Sequence, residues 1–458
     1  MLNKNLDDTI IAVSTPPGSG GLGIVRLSGP EALAIGRRIF KPRKDKAQIL
    51  PRKIILGDLA DADGTRFDEA FFLYFKAPLS YTREDLVEIS CHGSPAVLEE
   101  IVRLGVKAGA RRANPGEYTL RAFLRGRIDI VQAEAVQSLV SATSLRQARI
   151  SYGQLEGGLS SRLHVFREKI IALLADIEVR LEFSDEKLGI SNRQIVASLQ
   201  DALRFVRDLI ASFETGRLLA EGLTLAIVGK PNVGKSTLFN SLVGKDRAIV
   251  TPFPGTTRDY LHEKIRIGDS LFNLIDMAGL GKTDHPIEKE GIRKGEDLAR
   301  RADGILFLLD SSKKESRQDL DLIRDHRKSK AIVVFNKIDL SQKIDKGKVM
   351  AAAGKTPNVE ISALKGSNIA ELRKKIRSVF TPSSKKWDEI ILHSRQKDIL
   401  ERIKDSLDAG LRMTREGYGE EICAEEIRKT VFLLGQLTGE IRTEEVLLNI
   451  FNRFCIGK

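Results

Sequence analysis

Cysteine is scarce: 458 residues hold three, Cys91, Cys423 and Cys455, far apart and with no C-x-x-C pair. That excludes a disulfide framework and argues against a cysteine-built zinc or redox site, so reduced thiols are expected. No apolar run approaches the roughly 18 residues that would span a bilayer. The segment Met1 to Ile10 carries Asp7 and Asp8 and lacks both a signal-peptide apolar core and the Arg-rich character of a transit peptide. The expectation is a cytoplasmic protein with no membrane anchor. One Trp and six Tyr leave little for an aromatic base-stacking platform. Internal repeats and low-complexity tracts are also missing.

What is present is length, charge and pattern. A chain this long accommodates about three domains. Its formal charge of +12 favours a polyanionic partner, since Lys and Arg that neutralise phosphates gain from counterion release. Charge alone does not separate a nucleic-acid binder from an ordinary basic globular protein.

From Thr9 to about Leu120, short apolar strands (Thr9 to Val13, Gly23 to Leu27, Ala70 to Phe75, Leu86 to Ser90) alternate with helical stretches, Pro30 to Phe40 and Pro95 to Ala108. The period then changes. Val136, Leu139, Val140 and Thr143, and later Ile170, Leu174, Ile177 and Leu181, recur at helical spacing. A second helical run starts near Asp388 and passes through Val431, Leu434 and Leu437 to Val446, Leu447 and Ile450. Two separate helical domains would account for this. One discontinuous domain with an insertion is preferred, because each half has too few apolar faces to close a large core alone.

The insertion carries the chemistry. An apolar strand, Leu223 to Val228, runs into Gly229-Lys-Pro-Asn-Val-Gly234-Lys235-Ser236 and a helix from Thr237, the full context of a phosphate-binding loop. Backbone N–H groups cradle phosphates, Lys235 reaches the outer ones, and the Ser236 hydroxyl ligates Mg²⁺. Gly255-Thr-Thr257 offers a second hydroxyl for the metal, and Asp276-Met-Ala-Gly279 a carboxylate reaching it through water. Asn336-Lys337-Ile338-Asp339 ends a strand with an Asp whose carboxylate accepts N1–H and N2–H of guanine, which adenine lacks. Ser362-Ala363-Leu364 supplies a backbone loop over guanine O6. The position after Gly279 is Leu280, which cannot orient water, so hydrolysis needs another polar group; Glu288 and Glu290 both lie near, as does the alternative that they form a solvated helical face.

At this point the chain resembles the bacterial tRNA modification GTPases of the MnmE (TrmE) family over nearly its whole length. Beyond the nucleotide loops, the resemblance rests on Thr15-Pro-Pro-Gly-Ser-Gly-Gly-Leu-Gly-Ile-Val-Arg26, Tyr81-Thr-Arg-Glu-Asp, Pro115-Gly-Glu-Tyr-Thr, Gln132-Ala-Glu-Ala and Phe454-Cys455-Ile-Gly-Lys458. It implies a multidomain α+β architecture. An N-terminal α/β folate-binding and dimerisation domain would span 1–120, a discontinuous helical domain 121–220 and 381–458, and an inserted Ras-like α/β P-loop GTPase domain 221–380.

The function implied is potassium-dependent GTP hydrolysis coupled to modification at C5 of the wobble uridine (position 34) of certain tRNAs, giving aminomethyl or carboxymethylaminomethyl groups. The one-carbon donor would be 5-formyl- or 5,10-methylene-tetrahydrofolate, and an FAD- and NADH-using partner of the MnmG (GidA) family would join the homodimer in a heterotetramer or larger assembly. By matching positions, Glu288 becomes the catalytic glutamate. GTP would meet Asn232, Val233, Gly234, Lys235, Ser236 and Thr237; Thr251, Pro252, Phe253, Pro254, Gly255, Thr256 and Thr257; Asp276, Met277, Ala278 and Gly279; and the Asn336–Asp339 and Ser362–Leu364 loops. Ser236 and Thr257 would hold Mg²⁺; Asn232, Thr251, Phe253 and Thr256 would hold K⁺. Folate would meet Arg26, Glu88, Arg127 and Lys458, with Cys455 a possible catalytic thiol. The chain departs from the family pattern with Arg127 in place of a lysine, and with Met277 and Gly281 in place of Thr and Arg. A different class, a GTP-switched RNA-binding protein of ribosome assembly, shares the nucleotide loops but would ordinarily append an RNA-binding module, which nothing here resembles. A folate-binding scaffold whose GTPase only gates assembly is a further alternative.

Overall fold

The computed structural model describes residues 7–43, 48–61, 63–182, 190–244, 262–276, 302–325, 330–381, 390–441, 443–452 and 454–457. The chain divides into two compact units, one of Met1–Gln137, Gln154–Val206 and Asp398–Lys458, the other of Ser138–Gly153 and Arg207–Lys397.

The first unit contains a sheet of β1 (Ile10–Val13), β2 (Gly20–Ser28), β3 (Phe40–Pro42), β4 (Ile54–Ala60), β5 (Arg66–Phe75), β6 (Leu86–Gly93) and β7 (Arg111–Arg112), ordered β3-β4-β5-β6-β2-β1-β7. Neighbours are antiparallel except β1 and β7. Alternation along β5 buries Ala70, Phe72 and Tyr74 and leaves Phe71 exposed, as the two-residue period of a strand requires. The helices Ala32–Ile39 and Pro95–Lys107 lie on the buried face; Ile35, Ile101 and Val102 join Val25, Leu27, Phe72, Val87 and Ile89 in one core. Four strands and both helices stand where the sequence pattern puts them. The strand β4 was not anticipated, because Gly57 and Asp58 interrupt its apolar run; a Cβ on Gly57 would lie 2.4 Å from the Lys41 carbonyl oxygen, so the strand pair β3–β4 needs glycine there.

In the same unit, the helices Gly158–Glu182 and Glu420–Thr438 pack side by side. Leu163, Phe166, Ile170, Leu173 and Ile177 are buried on the first, and Ile427, Leu433, Leu434 and Leu437 on the second. Arg180 meets Glu420 at 2.5 Å and Arg428 meets Glu178 at 3.0 Å. One helical layer is thus built from two stretches of sequence that the nucleotide segment separates, as expected.

The second unit holds β8 (Leu223–Val228), β9 (His262–Ile267), β10 (Ser270–Asp276), β11 (Gly304–Asp310), β12 (Ala331–Asn336) and β13 (Asn358–Glu360) in the order β13-β12-β11-β8-β10-β9. All pairs are parallel except β9 with β10. Both faces are covered: Leu306 and Leu308 pack with Leu238, Leu242, Leu372 and Ile376 on one side, while Phe307 and Leu309 pack with Leu320, Ile323 and Val349 on the other. Strands buried on both faces read as continuous apolar runs, which is why β8 and β12 were legible; β11 has the same run but carries no motif and was not anticipated. The order reverses at β8, and the crevice beyond the carboxyl ends of the strands there is where such sheets bind nucleotides. Among the described residues, no helix is long and apolar enough to cross a membrane.

Candidate functional site

The loop after β8 is shaped by backbone geometry before any ligand is considered. Asn232 has φ 64° and Gly234 φ 101°, both left-handed, and Gly234 is the N-cap of the helix Lys235–Val243. A Cβ on Gly229 would approach the Leu308 carbonyl oxygen to 2.4 Å, and one on Gly234 would approach Asn336 Nδ2 to 2.4 Å. Both glycines therefore allow the loop to lie against β11 and β12. The Lys235 ammonium donates to the Gly229 and Lys230 carbonyl oxygens at 2.8 and 2.9 Å, within the mouth of the loop. Ser236 and Thr237 are exposed on the first helical turn, where a hydroxyl suits a hard divalent cation.

Asn336 connects three parts of the crevice. It is 2 % exposed, its Nδ2 donates to the Val233 carbonyl oxygen at 2.8 Å, and its Oδ1 accepts from Ala363 N at 2.9 Å. Lys337, at φ 64°, donates from Nζ to the Asn232 carbonyl oxygen at 2.8 Å and to Asp310 Oδ2 at 2.7 Å. Burial pushes the Asp310 carboxyl up, but the Lys337 ammonium and Ser312 more than offset it and hold it below the usual range. Asp310 thus anchors the lysine, a role the sequence did not signal. Asp339 is exposed, and a hydrogen bond from the Ser362 hydroxyl keeps its carboxyl below the ordinary value, ionised and aimed beside the Ser362–Leu364 loop. Ser362 N and O pair with Ser367, and Ile338 N reaches Ile361 O at 3.2 Å, closing that loop. The loop after β8, the Asn336–Asp339 turn and the 362–364 loop are therefore one hydrogen-bonded construction.

Asp276 ends β10, whose register with β8 places it opposite Ile227 at the same sheet edge. Thr251, Pro252, Phe253, Pro254, Gly255, Thr256, Thr257, Met277, Ala278, Gly279, Glu288, Glu290 and Lys458 lie outside the described residues.

A second cluster sits on the N-terminal sheet. Arg26 on β2 and Glu88 on β6 are cross-strand partners, and Arg26 Nε and Nη2 both donate to Glu88 Oε1, at 2.9 and 2.6 Å. Arg26 Nη1 also donates to the Gly457 carbonyl oxygen at 3.3 Å, and Ser14 Oγ donates to the same oxygen at 3.1 Å. Arg127 donates to Ser80 O at 2.8 Å and stands over the Tyr81 ring, 5.4 Å from its centroid. Burial raises the Tyr81 phenol; its hydrogen bond with Thr119 and the positive fields of Arg26 and Arg127 pull the other way. Arg26, Glu88, Tyr81, Arg127 and the segment Cys455–Gly457 thus share one neighbourhood, with Cys455 exposed. Two guanidiniums, a carboxylate and an aromatic ring suit a ligand carrying both anionic carboxylates and a flat ring with N–H donors.

Beside it runs a buried ion network that sequence reasoning missed. Arg121, fully buried, meets Asp8 at 2.5 Å, Glu117 at 3.0 Å and Glu84 at 3.2 Å; Arg111 meets Glu117 and Asp8, each at 2.7 Å. It ties the segment before β1, the turn before β6 and the helix Glu117–Leu124 into the frame that carries Tyr81 and Tyr118.

Comparison with known proteins gives two family matches: residues 130–455 match the model described as the MnmE helical domain, and residues 9–127 that of the GTP-binding protein TrmE N-terminus. The tRNA modification GTPase MnmE of Thermoanaerobacter pseudethanolicus is 39% identical over 98% of this chain and 99% of its own length. That of Koribacter versatilis is 39% identical over 99% and 100%. Among solved structures, the G domain of the T. maritima FeoB iron transporter is 31% identical, covering 34% of this chain and 98% of its own, with a TM-score of 0.27.

Proposed function

The chain belongs to the MnmE family of tRNA modification GTPases, and we propose that it hydrolyses GTP in the crevice at β8, β10 and β12 in the service of tRNA modification. The observation that carries this reading is the joining of phosphate loop and guanine-reading loop through Asn336, within a chain that matches its curated relatives end to end. Gly229 and Gly234 let the loop lie close against β11 and β12, Lys235 supplies a charge partner for phosphates, and Asp339 selects guanine.

The finer assignments extend this proposal. Ser236 and Thr257 hold Mg²⁺, which neutralises charge on the outer phosphates when bound. Asn232, Thr251, Phe253 and Thr256 hold K⁺, replacing the charge of an arginine finger, and Glu288 orients the attacking water, since Leu280 cannot. Arg26, Glu88, Arg127 and Lys458 bind a tetrahydrofolate one-carbon donor. Support for the last comes from the Arg26–Glu88–Tyr81–Arg127 neighbourhood: a ligand carboxylate would draw Arg26 away from Glu88, freeing that carboxylate to accept from ring N–H groups. The modified atom is C5 of the wobble uridine, reached together with an FAD-dependent partner, in a homodimeric cytoplasmic enzyme.

Nucleosides from the tRNA of cells lacking this gene, complemented by wild type or by Glu288→Ala, test the reading by mass spectrometry. Loss of C5-modified wobble uridines, restored by wild type alone, supports it. Unchanged modification in the deletion strain refutes it and returns the ribosome-assembly reading.

A further inference from the structure

Two of the non-glycine residues with left-handed backbone are arginines flanking one loop: Arg52 at φ 62° and Arg83 at φ 60°. Such a conformation is unfavourable for a side chain with a Cβ, and glycine or asparagine is the usual occupant. The loop between them in space is Lys76–Arg83. Arg52 Nη2 donates to the Leu79 carbonyl oxygen at 3.3 Å, Arg127 Nη1 to the next carbonyl, Ser80 O, at 2.8 Å, and Arg83 Nη1 to Arg125 O at 2.9 Å. Three guanidiniums are thus fixed around one turn by main-chain acceptors. Among the described residues none of the three is ion-paired, nor are the exposed Lys53 and Lys76 beside them.

The acids of this region have partners of their own. Glu84 is buried against Arg121 and Arg125, and Asp85 accepts from Ala77 N and the Tyr74 phenol. Asp7 lies 4.0 Å from Arg125. Positive groups not ion-paired to a carboxylate, at the surface and with fixed orientation, suit a row of phosphates, because pre-set donors lose little entropy on binding.

We propose that the Lys76–Arg83 loop, with Arg52 and Arg83 beside it, is a docking surface for the phosphate backbone of RNA. The partner rests on the reading of tRNA as substrate. The surface adjoins the Arg26–Glu88–Tyr81 cluster through Arg127, so RNA held there would lie beside the proposed one-carbon site.

The test uses the full chain with GDP, bulk bacterial tRNA, and binding measured by anisotropy across a KCl series. Arg52→Gly with Arg83→Gly removes both charges at positions where glycine relieves backbone strain, so folding is protected. The double variant is expected to keep its thermal midpoint and GTP hydrolysis rate, lose affinity on the order of tenfold, and flatten the slope of log affinity against log salt by roughly 1.4 to 1.8. Arg52→Lys with Arg83→Lys is expected to retain the slope. Equal tRNA binding by wild type and the glycine variant overturns the proposal while leaving the substrate intact. A lysine variant as weak as the glycine one overturns it too, as does loss of hexaglutamate binding with tRNA binding unchanged, which would assign the surface to an anionic peptide tail. Failure of the wild type to bind tRNA at low salt overturns both the proposal and the reading beneath it.

Discussion

Asn336 and Val233 are joined across the nucleotide crevice: the side-chain amide of one holds the main-chain carbonyl of the other at 2.8 Å, 103 positions away in sequence. The residue that opens the Asn336–Asp339 turn is therefore also a strut of the loop after β8.

Replacing that strut exposes its double role. Asn336→Ala leaves the Val233 carbonyl and the Ala363 N–H buried without their partner, at about 1–3 kcal/mol each. Guanine-nucleotide affinity is expected to fall at least about tenfold, with a lowered thermal midpoint for the second unit. A fluorescent-GDP titration alongside a melting curve measures both; unchanged affinity would remove Asn336 from the site's architecture.

Base choice is expected to depend on Asp339. Asn at this position offers an N–H where guanine also presents N–H, and should cost GTP at least about a hundredfold while favouring xanthosine triphosphate, whose C2 carries oxygen. Because the Ser362 hydroxyl holds the Asp339 carboxyl below its ordinary range, wild-type guanine preference should not vary between about pH 5 and 8. Competition assays with the two nucleotides decide it.

The tail position Gly457 has φ 92°, and a Cβ there would come within 2.2 Å of the Val13 carbonyl oxygen. Gly457→Ala must therefore displace the segment and break its bonds with Ser14 and Arg26. Carboxypeptidase should trim the variant faster than wild type, while GTP hydrolysis without tRNA stays the same. Equal trimming would show the docking to be weaker than its geometry implies.

Arg121→Met isolates the buried network. At neutral pH it leaves Glu84, Glu117 and Asp8 short of a fully buried cation, an expected loss of about 3–5 kcal/mol. Burial pushes the Glu117 and Asp8 carboxyls up, but their arginine partners carry both below the ordinary values of 4.5 and 3.8. Depressed carboxylates contribute stability above their unfolded pKa and lose it as pH falls through the folded one. The gap between wild type and variant should thus be full at pH 7 and narrow below about pH 4. Denaturant titrations at both pH values check the sign.

The sequence made β8 and β12 legible because both-face burial writes apolar runs into them, and the phosphate loop because glycine spacing there is dictated by close backbone approach. The strand β7 was not, since two arginines carry no strand signal and pair with β1 only in the tertiary context. Arg121, Asp310 and the second duty of Asn336 were likewise hidden: each depends on partners brought together by folding, and charge in a sequence reads the same whether it will face water or a buried carboxylate. Arg26, Glu88 and Arg127 were singled out through resemblance alone; local pattern gives no reason to prefer them over the chain's other charged residues.

The hydrogen bond from Arg26 to Gly457 spans 431 positions. At roughly 5–20 residues added per second, a ribosome needs about 20 to 90 s between making one end and the other. During that interval the entire nucleotide unit is synthesised while the Arg26–Glu88 pair waits without the segment that later closes over it. A nascent chain thus acquires the means to bind GTP before its N-terminal cluster is complete, and a prematurely released product carrying every nucleotide loop would still lack the contact that completes that cluster.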